Sequence, residues 1–157
     1  MIMKKKVMYI SSVGGHLTQL LQLKPMFSEF DYKIVTEKTE ITISMKNDYN
    51  ISYLKYGARN YPIKYIFKFS YNILESFLIF LNYKPDYIIT TGAHTAVPMC
   101  YIGKLFGKKI IYIESFAKTK SPNLSGKIIY PIADLFIVQW ESMLEIYPKA
   151  VYGGPIY

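Results

Sequence analysis

The chain has 157 residues, 51% of them apolar and 19% charged, enough apolar side chain for one buried core and too little charge for disorder. Its single cysteine, Cys100, excludes an internal disulfide and a cysteine metal cluster, and suits a reducing compartment. The net charge of +8 is nearly all lysine, Arg59 being the only arginine; lysine lacks the bidentate fork that reads bases, so the excess predicts an anionic membrane surface and no nucleic acid as partner.

The opening Met-Ile-Met-Lys-Lys-Lys is basic like the start of a signal peptide, but the apolar run Val7 to Ile10 falls short of the roughly 7 to 15 residues such a peptide needs. It reads instead as part of a first strand, Lys6 to Ser11. The loop Ser12-Val13-Gly14-Gly15-His16 follows and opens a helix from His16 to Phe27. A strand at Tyr32 to Thr36, a short helix at Glu40 to Lys46 and a strand at Ile51 to Tyr56 come next. A long helix, Ile63 to Asn82, leads to a fourth strand at Tyr87 to Thr90. The loop Thr91-Gly92-Ala93-His94 then enters a helix from Thr95 to Phe106. A strand at Lys109 to Glu114, a helix at Leu124 to Ile132, a strand at Leu135 to Gln139 and a helix at Glu141 to Tyr147 complete the order.

Tyr87-Ile88-Ile89 and Ile110-Ile111-Tyr112-Ile113 are apolar on successive residues, which marks strands covered on both faces. The predicted fold is therefore α/β: one Rossmann-like domain over residues 1–157, doubly wound, with a mainly parallel sheet of strand order 3-2-1-4-5-6 and helices on both faces. Ligands bind such sheets where the order reverses, here between the first and fourth strands. The loops leaving those strands carry the chain's two histidines, His16 and His94.

A glycine loop feeding a helix attracts an anion, because free N–H groups and the helix dipole converge there. Gly14 and Gly15 let the backbone approach closely, and Thr91 and Gly92 add a hydroxyl and backbone contacts at the same mouth. His16 is the first candidate for a base or positioning group and His94 the second, since imidazole titrates in the useful range. The plainer alternatives are that His16 caps its helix and His94 bonds within its loop. A dinucleotide site is a further alternative, with Glu37 about 20 residues past the glycines as its ribose-binding acid, but the spacing departs from G-x-G-x-x-G. Asp86 and Asp134 precede strands, at the wrong end of the sheet for chemistry, and read as structural. No cluster has metal-ligand spacing.

"SSVGGHLTQL", "PDYIITTGAHTAVP", "GKKIIYIESFAK", "SPNLSGKIIYPIADLFIVQWE" and "YPKAVYGG" together resemble the bacterial capsule and exopolysaccharide glycosyltransferase enhancer subunits, relatives of the membrane-anchoring subunit of the eukaryotic dolichol-linked N-acetylglucosamine transferase. The resemblance implies the N-terminal, acceptor-binding half of a GT-B glycosyltransferase. A separate small protein would supply the donor-binding C-terminal domain and hold most of the UDP-sugar, with no other cofactor and no metal. The anion would be the diphosphate of a polyprenol-linked sugar, and the acceptor would receive a hexose of galactose or N-acetylglucosamine type. The length of one Rossmann-like domain agrees, and the chain stops near where a second domain would join. The resemblance also marks Glu114-Ser115 as a motif position, making Glu114 a third candidate base or sugar ligand, with an ion pair to Lys118 or Lys120 as the alternative. Asn123 and Ser125, with Ser115, would line the crevice. Many relatives carry a glutamate early in the helix after the glycines; here the positions are Thr18 and Gln19. A non-catalytic module that recruits and enhances a catalytic partner is the alternative to an enzyme subunit.

Residues 61 to 83 are apolar nearly all round. Ile63, Ile66, Phe67, Leu74, Phe77, Leu78 and Leu81 form one stripe, predicted to pack on the sheet. Tyr65, Phe69, Ile73 and Phe80, with Lys64 and Lys68, are predicted to meet the membrane, on its cytoplasmic face and without spanning it, the alternative being a helix buried on both sides by neighbouring loops or the partner subunit. Near the C-terminus, Trp140, Tyr147, Val151, Tyr152 and Tyr157 are expected to gather as anchors for the partner.

Overall fold

The computed structural model describes residues 4–57 and 62–156. In chain order the strands are β1 (Lys6–Ser11), β2 (Asp31–Lys38), β3 (Ile51–Lys55), β4 (Tyr87–Gly92), β5 (Lys109–Ile113), β6 (Leu135–Val138) and β7 (Val151–Tyr152). The helices are α1 (Gly15–Leu21), α2 (Glu40–Ser44), α3 (Pro62–Tyr83), α4 (Ala96–Leu105) and α5 (Leu124–Ile129). All described strand pairings are parallel, in the order β3-β2-β1-β4-β5-β6-β7. The doubly wound sheet is as the sequence predicts. β7, two residues long, was not anticipated.

Burial on both faces is visible residue by residue. Met8 and Ile10 of β1 face one core with Ile88, Ile110, Tyr112 and Phe80, whereas Val7 and Tyr9 face the other with Leu17, Leu20, Phe27 and Ile34. Successive strand residues point to opposite faces, so an unbroken apolar run is what two covers demand.

Three predicted helices stop short of their expected ends ahead of a proline, which gives the reason. A proline lacks the N–H and clashes with the carbonyl four residues back. Pro25 thus ends α1 at Leu21, and a 3₁₀ turn at Lys24–Glu29 continues the path. Pro131 stops α5 at Ile129, and ahead of Pro148 the predicted last helix is a 3₁₀ turn, Glu141–Leu144.

The long helix corrects the predicted faces. Phe80, expected at the membrane, is 3% exposed and packs in the core with Tyr83. Ile66, Phe67, Leu74, Leu78 and Leu81, expected on the sheet, are exposed. The reversal traces to Asn72, a polar residue that faces inward. Its Nδ2 donates to the Lys55 carbonyl at 2.8 Å and its Oδ1 accepts the Lys55 N–H at 2.8 Å. The side chain occupies the place of a missing neighbour strand along β3, a common way to cover a sheet edge. Ile73 and Lys68 are exposed, Phe69 is half-buried, and the side chains of Ile63, Lys64 and Tyr65 lie outside the described residues.

Candidate functional site

The loops after β1 and β4 meet above the point where the strand order reverses. His16, in the first turn of α1, turns its Nδ1 to the Thr91 carbonyl at 2.7 Å, and the Thr91 hydroxyl donates to the His16 carbonyl at 2.7 Å. A carbonyl only accepts, so Nδ1 carries the proton and the neutral ring keeps its lone pair on Nε2. His16 does not cap its helix: the cap position is Gly14, without a side-chain bond. Gly92 lies beneath the ring at φ +95°, where a Cβ would stand 3.3 Å from His16 Cε1 and 3.1 Å from both Ser125 Oγ and Tyr112 Oη. Only glycine permits this approach without strain. Gly14 and Gly15 are exposed, with open space over both.

His94 does not bond only within its own loop. Its Nε2 stands 3.7 Å from Oε1 of Glu37, which is 2% exposed at the end of β2. Glu37 is thus turned inward, under the glycine loop, rather than toward solvent.

Glu114 is placed differently from its expected role. It lies past the end of β5, 1% exposed, and its carboxylate is occupied by protein donors. Oε1 accepts the Ser115 N–H at 2.8 Å and Asn123 Nδ2 at 2.9 Å, and Oε2 accepts the Asn123 N–H at 3.4 Å and the Tyr147 hydroxyl at 3.2 Å. These donors replace the alternative ion pair with Lys118 or Lys120. A carboxylate so enclosed fastens the start of α5 to β5, and it does not face the crevice as a free base. Gly126 makes room for it, since a Cβ there would sit 2.6 Å from Glu114 Oε2. Burial first, and the Glu114 charge second, push the hydroxyls of Tyr112 and Tyr147 upward, so both remain protonated donors. Tyr112 shares a 3.2 Å bond with Ser125.

Gln19 reaches across to Ser115, its Nε2 donating at 3.4 Å. Sequence reasoning missed Tyr112 and Gln139, whose Nε2 donates to the Glu114 carbonyl at 2.9 Å, and read Tyr147 as a partner anchor. Tyr112 and Gln139 are of types that suggest core or strand filler, and only the fold brings Gln139 and Tyr147 to Glu114. Asp86 and Asp134 are structural, accepting the backbone N–H groups of Lys6 and Ile110. Among the described residues no group of side chains is arranged to hold a metal, and no helix is long and apolar enough to cross a membrane.

The predicted C-terminal anchors divide. Tyr147 is buried against Tyr130, Phe136 and Glu114, so it is a core residue. Trp140, Val151 and Tyr152 are exposed, and Trp140 pairs with Phe116 at a ring distance of 4.9 Å. Tyr157 lies outside the described residues.

A parallel sheet of this order, with its polar crevice at the strand reversal, defines a Rossmann-like domain of the GT-B type. MurG of Acinetobacter baumannii superposes with a TM-score of 0.71 at 16% identity, over 88% of this chain. UDP-N-acetylglucosamine 2-epimerase of Rickettsia bellii does so with a TM-score of 0.71 at 16% identity, over 98%. The chain spans only 42% and 43% of those two structures. Within this class, residues 57–156 match the family described as oligosaccharide biosynthesis protein Alg14 like, and the chain belongs to that family. The UDP-N-acetylglucosamine transferase subunit ALG14 of Mus musculus is 31% identical over 96% of this chain and 82% of its own length. The subunit of the same name from Schizosaccharomyces pombe is 47% identical over 45% of this chain.

Proposed function

We propose that this protein is the acceptor-side subunit of a two-component UDP-sugar glycosyltransferase. It recruits a separate donor-binding subunit to a lipid-linked sugar at the cytoplasmic face of a membrane, where it sits peripherally. The observation that carries this reading is the match over 96% of the chain to a UDP-N-acetylglucosamine transferase subunit. The single Rossmann-like domain, spanning 42% of MurG, supports it. The diphosphate of the acceptor would lie at Gly14 and Gly15, whose first-turn N–H groups have no carbonyl ahead of them in the helix. The exposed apolar face of α3 with Lys68 would meet the lipid, and Phe116, Trp140, Val151 and Tyr152 would meet the partner. A capsule or exopolysaccharide setting, and transfer of a hexose onto a polyprenyl-diphosphate sugar, belong to the same proposal and rest on the motif resemblance.

A second reading, that the chain also supplies the base, is favoured by one observation. The Thr91 carbonyl leaves His16 Nε2 with its lone pair, as proton removal from a sugar hydroxyl requires. Ser115, Asn123 and Ser125 would then contact sugar hydroxyls beside it.

Transfer from UDP-N-acetylglucosamine, measured with the chain alone and with its donor-binding partner, tests the reading: negligible turnover alone and robust turnover together are expected. Robust transfer by the chain alone would refute it. His16→Ala separates the two roles, since loss of transfer by about 10²- to 10⁴-fold with partner binding intact marks a base, and unchanged transfer marks a recruiting module.

A further inference from the structure

Glu37 is a dry acid that the acceptor reading leaves unused. It is 2% exposed, and a carboxylate is held in such a place only by partners. Oε2 accepts the Val13 N–H at 3.2 Å, at the start of the glycine loop. Oε1 makes no hydrogen bond among the described residues, and stands 3.7 Å from His94 Nε2, beyond hydrogen-bond reach but within ion-pair range. The surroundings are fixed. The Thr42 hydroxyl donates to the Glu37 carbonyl at 2.7 Å, the Thr36 hydroxyl to the Ser11 carbonyl at 2.9 Å, and the Ser12 hydroxyl to Thr95 at 2.7 Å. The segments following β1 and β4 therefore meet at the Glu37 carboxylate, and the segment following β2 bonds to that residue's backbone carbonyl.

We infer that Glu37 is a positioning residue: it rests on the glycine loop through Oε2, holds the His94 imidazole at the crevice mouth through Oε1, and so couples that ring's protonation to the loop. A proton on His94 gives Oε1 the charged partner that its burial calls for. Of the charged side chains on the described segments that flank Glu37 and the glycine loop, Lys38 and Glu40 are exposed and His16 is turned to Thr91. The effect on transfer rests on the function proposed above; the Glu37–His94 contact does not.

The full chain has two histidines, so ¹⁵N-histidine labelling gives two ring signals that can be followed through a pH titration. In Glu37→Gln the His94 midpoint falls by about one pH unit, roughly tenfold in proton affinity, while the His16 midpoint stays. Two unmoved midpoints, or two equal shifts, would overturn the inference. Should that variant fail to fold, the Val13 amide signal decides, in a comparison of wild type with His94→Asn. It is expected to follow the His94 midpoint in wild type and to lose that inflection in the variant, and a surviving inflection would overturn the coupling. With the partner present, Glu37→Gln lowers kcat and leaves the KM for UDP-sugar unchanged; a wild-type kcat would overturn the positioning role. If wild type with its partner transfers nothing, the acceptor reading fails, and the histidine signals still decide the contact.

Discussion

His16 and Thr91 clasp each other reciprocally, Nδ1 to carbonyl and hydroxyl to carbonyl, both at 2.7 Å and across 75 residues of chain. The clasp joins α1 to the end of β4 and fixes the ring's tautomer. Thr91→Val keeps the shape and removes the hydroxyl donor. A loss of about 1 kcal/mol in urea unfolding is expected, with the fold retained.

Glu114 holds three residues at once, and Ser115, Asn123 and Tyr147 all lose an acceptor if it is truncated. Glu114→Ala should cost on the order of 3 kcal/mol, read from a thermal or urea melt, because buried donors left unpaired carry their full desolvation penalty. A surface-like change under about 0.5 kcal/mol would show that the carboxylate is not the fastening point.

Gly126→Ala probes the same place sterically. The added Cβ would sit 2.6 Å from Glu114 Oε2 and 2.7 Å from the Tyr147 hydroxyl, so either those hydrogen-bonded side chains or the start of α5 must shift. Destabilisation of about 1–3 kcal/mol is expected, typical of forcing atoms into filled space. Gly15→Ala, with open space above it, should cost less.

Asp134 makes stability depend on acid. Partial burial pushes its carboxyl up, but the Ile110 N–H and then Lys109 and Lys104 outweigh that and bring it down to about 2. A folded value below the unfolded one means that the contribution is fully present above about pH 4 and is lost as pH falls toward 2. Discounted for solvent screening, the contribution is about 1 kcal/mol. Denaturant midpoints measured from pH 6 down to pH 2 should therefore converge between wild type and Asp134→Asn at the acid end.

The outward face of α3 should decide lipid binding. Phe67, Leu74 and Leu78 are 74%, 57% and 52% exposed, so replacing all three by serine should leave the circular dichroism spectrum unchanged and release the protein from anionic vesicles in a sedimentation assay. Binding equal to wild type would move the lipid contact elsewhere. Lysine screening predicts that wild-type binding also weakens as salt rises.

Much of this architecture was legible in the chain itself. Unbroken apolar runs such as Ile110 to Ile113 announced strands buried on both faces, and their alternation with helices fixed the parallel order and hence the meeting of His16 with the Thr91-Gly92 loop. Proline positions also carried the true ends of α1 and α5, though periodicity alone ran past them. The faces of α3 were misread because a stripe drawn through the apolar residues leaves Asn72 out, whereas its amide pairs with the backbone of β3. The role of Glu114 was likewise hidden: a strand-end carboxylate looks available until Asn123 and Tyr147, 9 and 33 residues away, are seen bonded to it. Local patterns determine elements because propensity and periodicity act over a few residues. Which polar group is satisfied by which is settled only when distant segments pack, since burial removes water and leaves the protein's own donors and acceptors as the remaining partners.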